Sequence, residues 1–460
     1  MCSEQPYHFA HYHHDHTNFV ADVLGHRARR DALLDKAART ANRDKRRLLI
    51  RQFLSDRLLK LLYLFESIQA KGLLAHFPPD RIQQIADEIS ASRHYFEPVR
   101  PVNLRSGSGN TRRTTYSFGP AKHALQRMVA DLLKSMFPLP TDKHFTVNGG
   151  VRAALLAVEE HARNKFTFAI ERDIAQFYPS VNVVELAKLL KPLPFSVVMN
   201  VIAYAPGFIW SEQHSSADAV HDAPLPLGGL LAQGSAASPI AAEVLMADLL
   251  KGMPDNVRIL SYADNVLILG ETSDSVEAAD AVLENRASEH PCGPLRLKAS
   301  NGITDMTAQG IHFLGNQGEW NGNGFDWEPS HYALEQVFSK IEQARDADEV
   351  CDTIRWLGNW RRGYPLWTNG DEETSLYRAQ LGGRLAFLAP TSLSGFYIEG
   401  RRLVEDYCRA VYRRTGEFPS LPELLPDFHD NLQIEGRRQM FIRAIERRLG
   451  ISANNDEANA

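Results

Sequence analysis

The chain has 460 residues, a net charge of −5, and 44% apolar against 23% charged residues, a balance that excludes disordered, fibrous and disulfide-scaffolded proteins. The length predicts about two to four folding units. No run approaches the roughly 18 uninterrupted apolar residues of a membrane span, and MCSEQP at the start lacks the basic stretch and apolar core of a secretory leader. Cys2, Cys292, Cys351 and Cys408 form no CxxC pair, which points to reduced thiols and a cytoplasmic protein.

In chain order, HFAHYHHDH (His8, His11, His13, His14, His16) comes first. No Cys or His elsewhere has ligand spacing, so a packed or flexible end is expected before a metal site. From Arg27 to Lys60 twelve Lys/Arg face four Asp, a balance of +8 that leaves −13 on the remainder. A basic stretch on an acidic body suits a polyanionic partner; the alternative is a solvated helix face. Leucines from Leu33 to Leu64 at helical spacing predict helix over 30–75. RSGSGNTRRTTYSFGP (105–120) reads as a hairpin, followed by helices over about 121–137 and 149–164.

KFTFAIERDI (165–174) alternates like a strand and carries Asp173 near its end. A helix follows from Val183, and 206–229, rich in Pro, Gly, Ser and His, reads as an irregular loop. GSAASPIAAEVLMADLL runs from small residues into a helix, where Ser238 is placed to cap the free N–H groups and Pro239 to occupy the first position. ILSYADNVLILG (259–270) puts Asp264 and Asn265 between two apolar runs, the pattern of a tight hairpin with Asp-Asn at its tip. A helix over about 275–289 and strands at 295–297 and 310–317 come next. Beyond 330 the pattern is helical, and the polar tail SANNDEANA is expected to be disordered.

A strand-end Asp, a Gly-Ser loop entering a helix, and an Asp on a hairpin therefore follow one another. Two carboxylates held at one sheet edge are what a pair of Mg²⁺ ions needs to clamp the attacking and leaving oxygens of a phosphoryl transfer. DIAQFYPSV (173–181), AQGSAASP (232–239), YADN (262–265) and HFLG (312–315) also occur in the order of the palm motifs of reverse transcriptases. RRTTYSFGPAKHALQRM (112–128) resembles that family's fingers, VNGGVRAALLAV (147–158) the segment before its first palm strand, and WLGNWRRGYPLW (356–367), more weakly, the thumb of group II intron-type enzymes. The resemblance covers roughly 95–390.

It implies an α+β, right-hand polymerase fold with an antiparallel palm sheet and helical N- and C-terminal extensions. The expected division is a basic helical extension (1–79), fingers (80–165), palm (166–320), thumb (321–400) and a helical C-terminal segment (401–460). Asp173 and Asp264 match the two metal-binding aspartates, with the Ile174 carbonyl a further ligand. The implied cofactor is a pair of Mg²⁺ ions, with Mn²⁺ a substitute. Tyr178 matches the aromatic gate that collides with a ribose 2′-OH, its alternative being a packed core aromatic. Gln233 and Gly234 match the loop facing the incoming nucleotide. Arg112 or Arg113 matches the residue that holds the triphosphate, for which a guanidinium fork is suited. Phe313, Leu314 and Gly315 match the primer grip.

The family's tip is usually Asp-Asp; here Asn265 stands second, and a neutral amide oxygen is a weaker metal ligand. LRLKASNG lacks the Lys usual a few residues after the strand, although Lys298 is near. The FYPS form and compact size resemble bacterial unknown-group and defence-associated enzymes. That resemblance implies RNA-directed DNA synthesis from dNTPs on an RNA template, in antiphage defence, and the +8 segment is expected to anchor a structured RNA, a dedicated noncoding one. Alternatives within the same reading are template-independent or protein-primed synthesis and a catalytically weakened RNA-binding scaffold. Arg43, Lys45, Arg46 and Arg47 are the expected RNA anchors, with Arg437 and Arg438 as a further basic surface.

Overall fold

The computed structural model describes residues 18–105, 112–204, 230–389, 391–392, 394–426 and 432–451. The His-rich run, the loop at 206–229 and the tail from Ser452 lie outside the described residues. The chain divides into two compact units, one of residues 1–157 with 165–303 and one of residues 158–164 with 304–460.

Where the leucine pattern predicts a single helix, the first unit has three: α1 (Arg27–Arg39), α2 (Arg43–Ser55) and α3 (Arg57–Ala70). The breaks follow from capping. Asn42 accepts hydrogen bonds from the N–H groups of Asp44 and Lys45, and Asp56 from those of Leu58 and Leu59. Each side chain satisfies orphan donors of a new helix start, so a break costs little where apolar spacing alone reads as continuous. After α4 (Pro79–Glu88), β1 (Val99–Arg105) and β2 (Arg112–Phe118) form the expected hairpin, with Val99 opposite Phe118.

The helix α5 (Pro120–Met136) packs against α3 in the apolar core. Its start has no cap of its own. Glu97 supplies one, accepting from Ala121 N–H at 3.0 Å and Lys122 N–H at 2.7 Å. Next come α6 (Gly150–Arg163), β3 (Phe168–Asp173), α7 (Phe177–Ser180) and α8 (Val183–Leu189). Then follow the two-residue strands β4 (Ala203–Tyr204) and β5 (Leu230–Leu231), α9 (Ser238–Leu249), β6 (Val257–Tyr262), β7 (Asn265–Gly270) and α10 (Ser273–Glu289). Within this unit β6, β7 and β3 lie side by side in that order, both pairings antiparallel. Four of the six β7 residues, Val266 to Leu269, are at most 1% exposed, and α10 packs on β7 and β3.

Two expectations are corrected here. The strand expected at 295–297 is only a single bridge between Leu297 and Ile174, because the Leu295 N–H donates to the Ala287 carbonyl of α10 at 3.0 Å and not to a strand. Ser238 does not cap α9. Ala237 stands at the cap position without a side-chain bond, and Ser238 and Pro239 are the first two helical residues.

In the second unit, β8 (Ile311–Phe313), β9 (Asn316–Trp320) and β10 (Phe325–Pro329) form an antiparallel sheet. The single strand expected over 310–317 is thus a hairpin. Leu314 and Gly315 have φ of +52° and +76°, and a two-residue turn with both central φ positive matches the twist of the flanking strands. The longer helices that follow are α11 (His331–Gln343), α12 (Ala347–Trp360), α13 (Gly370–Leu388), α14 (Gly395–Thr415) and α15 (Leu432–Leu449). The helices α13 and α14 are in close contact where the chain is small. A Cβ on Gly400 would lie 2.2 Å from the Gly382 carbonyl. Arg437 and Arg438 do not form a basic surface. Arg438 is 8% exposed and donates to the Pro422 carbonyl at 3.0 Å, while Arg437 donates to the Ala389 carbonyl at 3.2 Å.

Among the described residues no helix is long and apolar enough to cross a membrane.

His123 on α5 accepts or donates at 3.1 Å to the Ser67 hydroxyl. Burial, then the charges of Lys71 and Arg127, lower its pKa from 6.5 to about 4. The native state therefore binds fewer protons than the unfolded chain between those values, so this stabilisation is complete above pH 6.5 and is lost as the pH falls towards 4. Urea unfolding at pH 7, 5.5 and 4.5 should show the wild type losing stability relative to His123→Gln as the pH falls. A constant difference would mean that His123 is not held neutral.

Candidate active site

Strand pairing brings the two motif aspartates together. In the β3–β7 register Asp173 stands opposite Asn265, and the Ile174 N–H donates to the Asp264 carbonyl at 3.2 Å. In the β6–β7 hairpin Tyr262 stands opposite Asn265, so the connection is Ala263-Asp264 and not Asp264-Asn265 as the sequence suggested. Asn265 is therefore a strand residue between Tyr262 and Asp173.

The one-residue shift has a physical cause. Ala263 has φ +53°, a left-handed conformation that costs an L-residue roughly 1–2 kcal/mol. Its N–H is offset by two acceptors, Thr146 Oγ1 at 2.6 Å and Glu243 Oε1 at 3.2 Å. Glu243 on α9 is fully buried, and its other oxygen lies 3.0 Å from Nδ1 of His144, itself 2% exposed. The backbone beside His144 joins the same hairpin, with Ser261 N–H donating to the Lys143 carbonyl at 2.7 Å and Phe145 N–H to the Ser261 carbonyl at 2.9 Å. Residues 143–146 and Glu243 thus brace the turn that carries Asp264. Sequence reasoning missed them; the available signal was a Glu inside an otherwise apolar helix, IAAEVLM.

Asp173 is held from its own side. The Lys298 N–H donates to its carbonyl at 2.8 Å, and the Lys298 ammonium lies 2.9 Å from Oδ1. That oxygen is enclosed, and the Lys298 ammonium is its partner. The neighbouring Arg172 points to the opposite face, as strand alternation requires. It forms a fork with Asp280 of α10, one arm of it 2.6 Å, and donates to the Lys298 carbonyl at 3.1 Å. Lys298, noted in the sequence only as near, is part of the site.

Three residues assigned to the nucleotide converge on one cavity of about 220 Å³, lined by Thr115, Tyr178, Gln233, Gly234 and Ser238 among others. Tyr178 on α7 is 8% exposed and packs edge-on against Phe177 at 5.6 Å. Most of its ring is core and the remainder opens on the cavity. The preceding Gln176 is left-handed, φ +48°, and this bend starts the short helix that carries Tyr178.

Gly234 has φ +97°, and a Cβ there would lie 2.2 Å from the Tyr116 carbonyl oxygen. Its missing side chain makes room for the β2 backbone, to which the loop is also tied by the Tyr116 N–H donating to the Gln233 carbonyl at 2.8 Å. Ser238 Oγ is buried with no hydrogen bond and lines the cavity.

The remaining candidates are less concentrated. Arg112 and Arg113 sit on β2 opposite Arg105 and Leu104; their side chains lie outside the described residues. Phe313 is buried in the second unit at the hairpin turn formed by Leu314 and Gly315. On α2, Arg43 and Lys45 are exposed, Arg46 donates to the Thr40 carbonyl at 2.7 Å, and Arg47 lies 3.8 Å from Asp44. Other cations of the +8 segment are engaged in ion pairs: Arg27 with Glu66, Arg29 with Asp56 and Arg57 with Asp87. Among the described residues no cluster of three or more His, Cys, Asp or Glu could hold a metal by itself.

The family model described as reverse transcriptase (RNA-dependent DNA polymerase) matches residues 119–317, which contain Asp173, Tyr178, Gln233, Gly234 and Asp264. No curated protein matches. Solved structures resembling the chain include telomerase from Candida albicans in complex with a TWJ fragment of telomeric RNA, at 7% identity and TM-score 0.36 over 71% of this chain and 66% of that one. The RNA-dependent RNA polymerase of a human picorbirnavirus matches at 11% identity and TM-score 0.37, over 75% and 65%. Its insertion-loop deletion mutant matches at 14% and 0.39, over 69% and 64%. The chain thus spans a little under two thirds of the length of these structures.

If Glu243 holds the turn, Glu243→Gln should keep the fold but speed exchange of the Ala263 amide hydrogen roughly tenfold or more, the equivalent of about 1.5 kcal/mol for a hydrogen bond to a charged group. Unchanged protection by NMR would show that Thr146 alone suffices.

Proposed function

On the premise that residues 119–317 form a reverse transcriptase domain, we propose that the chain is an RNA-directed DNA polymerase that adds deoxynucleotides at the edge of the β6-β7-β3 sheet. The observation that carries the reading is the register that sets Asp173 beside Asn265 and ties Ile174 to the Asp264 carbonyl. The cavity shared by Tyr178, Gln233 and Gly234 supports it further. In this reading 80–165 are the fingers, 166–320 the palm and 321–400 the thumb of a right hand, with helical extensions 1–79 and 401–460.

The donor set suits Mg²⁺. Asp173 Oδ1 is enclosed, and Mg²⁺ is commonly held by one or two carboxylates together with substrate phosphates and water. Asp173 and Asp264 would hold it, with the Ile174 carbonyl as a third donor, and Mn²⁺ could replace it. When bound, two such ions supply charge stabilisation for the attacking 3′-oxygen and the leaving pyrophosphate.

The chain's own groups do the rest. Lys298 holds the Asp173 carboxylate in place with an ionic contact. The Glu243 brace fixes the height of Asp264 over the sheet. Asn265 brings no charge where a second turn carboxylate is usual, so Asp173 and Asp264 would supply the charge that holds a cation there. Gln233 and Gly234 line the nucleotide's cavity, the Tyr178 ring blocks a 2′-hydroxyl, and Arg112 or Arg113 takes the triphosphate. Phe313, Leu314 and Gly315 serve as the primer grip. A dedicated noncoding RNA as the template rests on the +8 balance of residues 27–60, and an antiphage setting on the resemblance of the FYPS motif to defence-associated enzymes.

Asp173→Asn and Asp264→Asn should each lower incorporation of labelled dNTPs by at least a thousandfold at saturating Mg²⁺ while leaving the melting temperature within a few degrees. Retained polymerisation in both would remove the site assignment. A wild type that makes no product on any template, co-purifying RNA included, would favour the non-catalytic scaffold, the reading that the neutral Asn265 supports.

Substrate choice is a separate test. Tyr178→Ala should raise ribonucleotide relative to deoxynucleotide incorporation by roughly tenfold or more in single-turnover competition. An unchanged ratio would make Tyr178 a packing residue only.

A further inference from the structure

A second cavity, of about 450 Å³, lies away from the sheet edge, between α2 and the turn that follows α8. Arg47, Arg51, Lys188, Lys191, Pro194 and Phe195 are on its wall. Four of those six are cations. Glu185 neutralises Lys188 at 2.6 Å, and Asp44 approaches Arg47 only to 3.8 Å. Among the described residues neither Arg51 nor Lys191 makes an ion pair, and both are exposed. Phe195 is 56% exposed, yet it is not loosely placed. Pro192 and Pro194 restrict the backbone before it, and Val197 and Val198 immediately after it are fully buried. An apolar ring is thus held in water, on a stiff segment, within a ring of cations.

We infer that this groove binds single-stranded nucleic acid, with Arg47, Arg51 and Lys191 on successive phosphates and one base stacked on Phe195. A positive groove with an aromatic platform is the combination that single strands need: the charges track the backbone without sequence preference, and every base offers a face to stack on. A duplex cannot use Phe195, because its bases are already stacked on one another. An acidic peptide would use the cations but has no planar group for the ring. The inference relocates the polyanion contact of the N-terminal segment from Arg43–Arg47 to the Arg47/Arg51 face. It rests on the polymerase reading only for choosing nucleic acid as the polyanion, and it concerns a surface outside the Asp173/Asp264 site.

The test is fluorescence anisotropy with a labelled 12-nucleotide oligouridine, the matching oligodeoxythymidine, a 12-base-pair RNA duplex and a 12-residue polyglutamate, on the full chain. The oligouridine should bind, and bind at least as well as the DNA strand, and better than duplex or peptide. In Arg51→Ala/Lys191→Ala its affinity should fall roughly tenfold or more and the slope of log K against log salt should shrink by about 1.4, since each lost phosphate contact removes about 0.7 for single strands. In Phe195→Ala the affinity should fall roughly tenfold with the slope unchanged. All three residues are exposed, so melting temperatures should match the wild type.

Unaltered affinity in both variants would overturn the inference, as would preference for the duplex or the peptide. Extension of a short annealed primer on saturating template should stay within about twofold in these variants, because the catalytic site is untouched. A wild type that extends no primer, while the variants still lose oligouridine binding, would remove the polymerase reading and leave the groove standing.

Discussion

The site depends on one constraint, the pairing of β3 with β7 in a register that sets Asp173 beside Asn265. A one-residue slip in a strand turns every side chain to the other face. Here that would send Asp173 under the sheet and Arg172 out of it. The register is secured from both faces. The buried run Val266–Leu269 places apolar side chains on both faces, and the Arg172–Asp280 fork ties β3 to α10 on one of them. Even the hairpin turn is braced from beneath, by a carboxylate with no access to water.

That carboxylate shows how the molecule supports a strained position. An isolated ionised carboxyl in a core is costly, yet Glu243 meets both a ring nitrogen and a strained amide. The helix α9 therefore links three features: its first residues line the cavity beside Tyr178, its middle holds Asp264's turn, and its apolar faces are core. Gly234, just upstream, is pressed to the β2 carbonyl at Tyr116. Loop, helix and hairpin are consequently placed by one another, and not by the nucleotide they would serve.

Charge is organised with similar economy. The +8 of the N-terminal segment suggests a uniform basic face, but several of its arginines neutralise carboxylates on neighbouring helices, and Arg46 bonds to backbone. What remains for a polyanion is a narrower surface, made by one face of α2 together with a lysine that lies more than a hundred residues downstream.

The order of motifs, the α+β class and the hairpin expected over 105–120 were legible in the amino-acid sequence. Their signals are local: alternation, small residues before a helix, a carboxylate between apolar runs. The turn at Ala263-Asp264, the helix breaks at Asn42 and Asp56, and the hairpin at Leu314-Gly315 were not legible. Each is settled by which donor finds which acceptor, and composition over a window averages that choice away. His144, Glu243 and Lys298 were invisible or only adjacent for a further reason. Glu243 lies 99 residues from His144 and 20 from Ala263, and only folding decides that a buried acid ends beneath a backbone amide. The basic groove belongs to the same class, because net charge is additive along a chain while the field at a surface depends on which charges the tertiary structure has already paired.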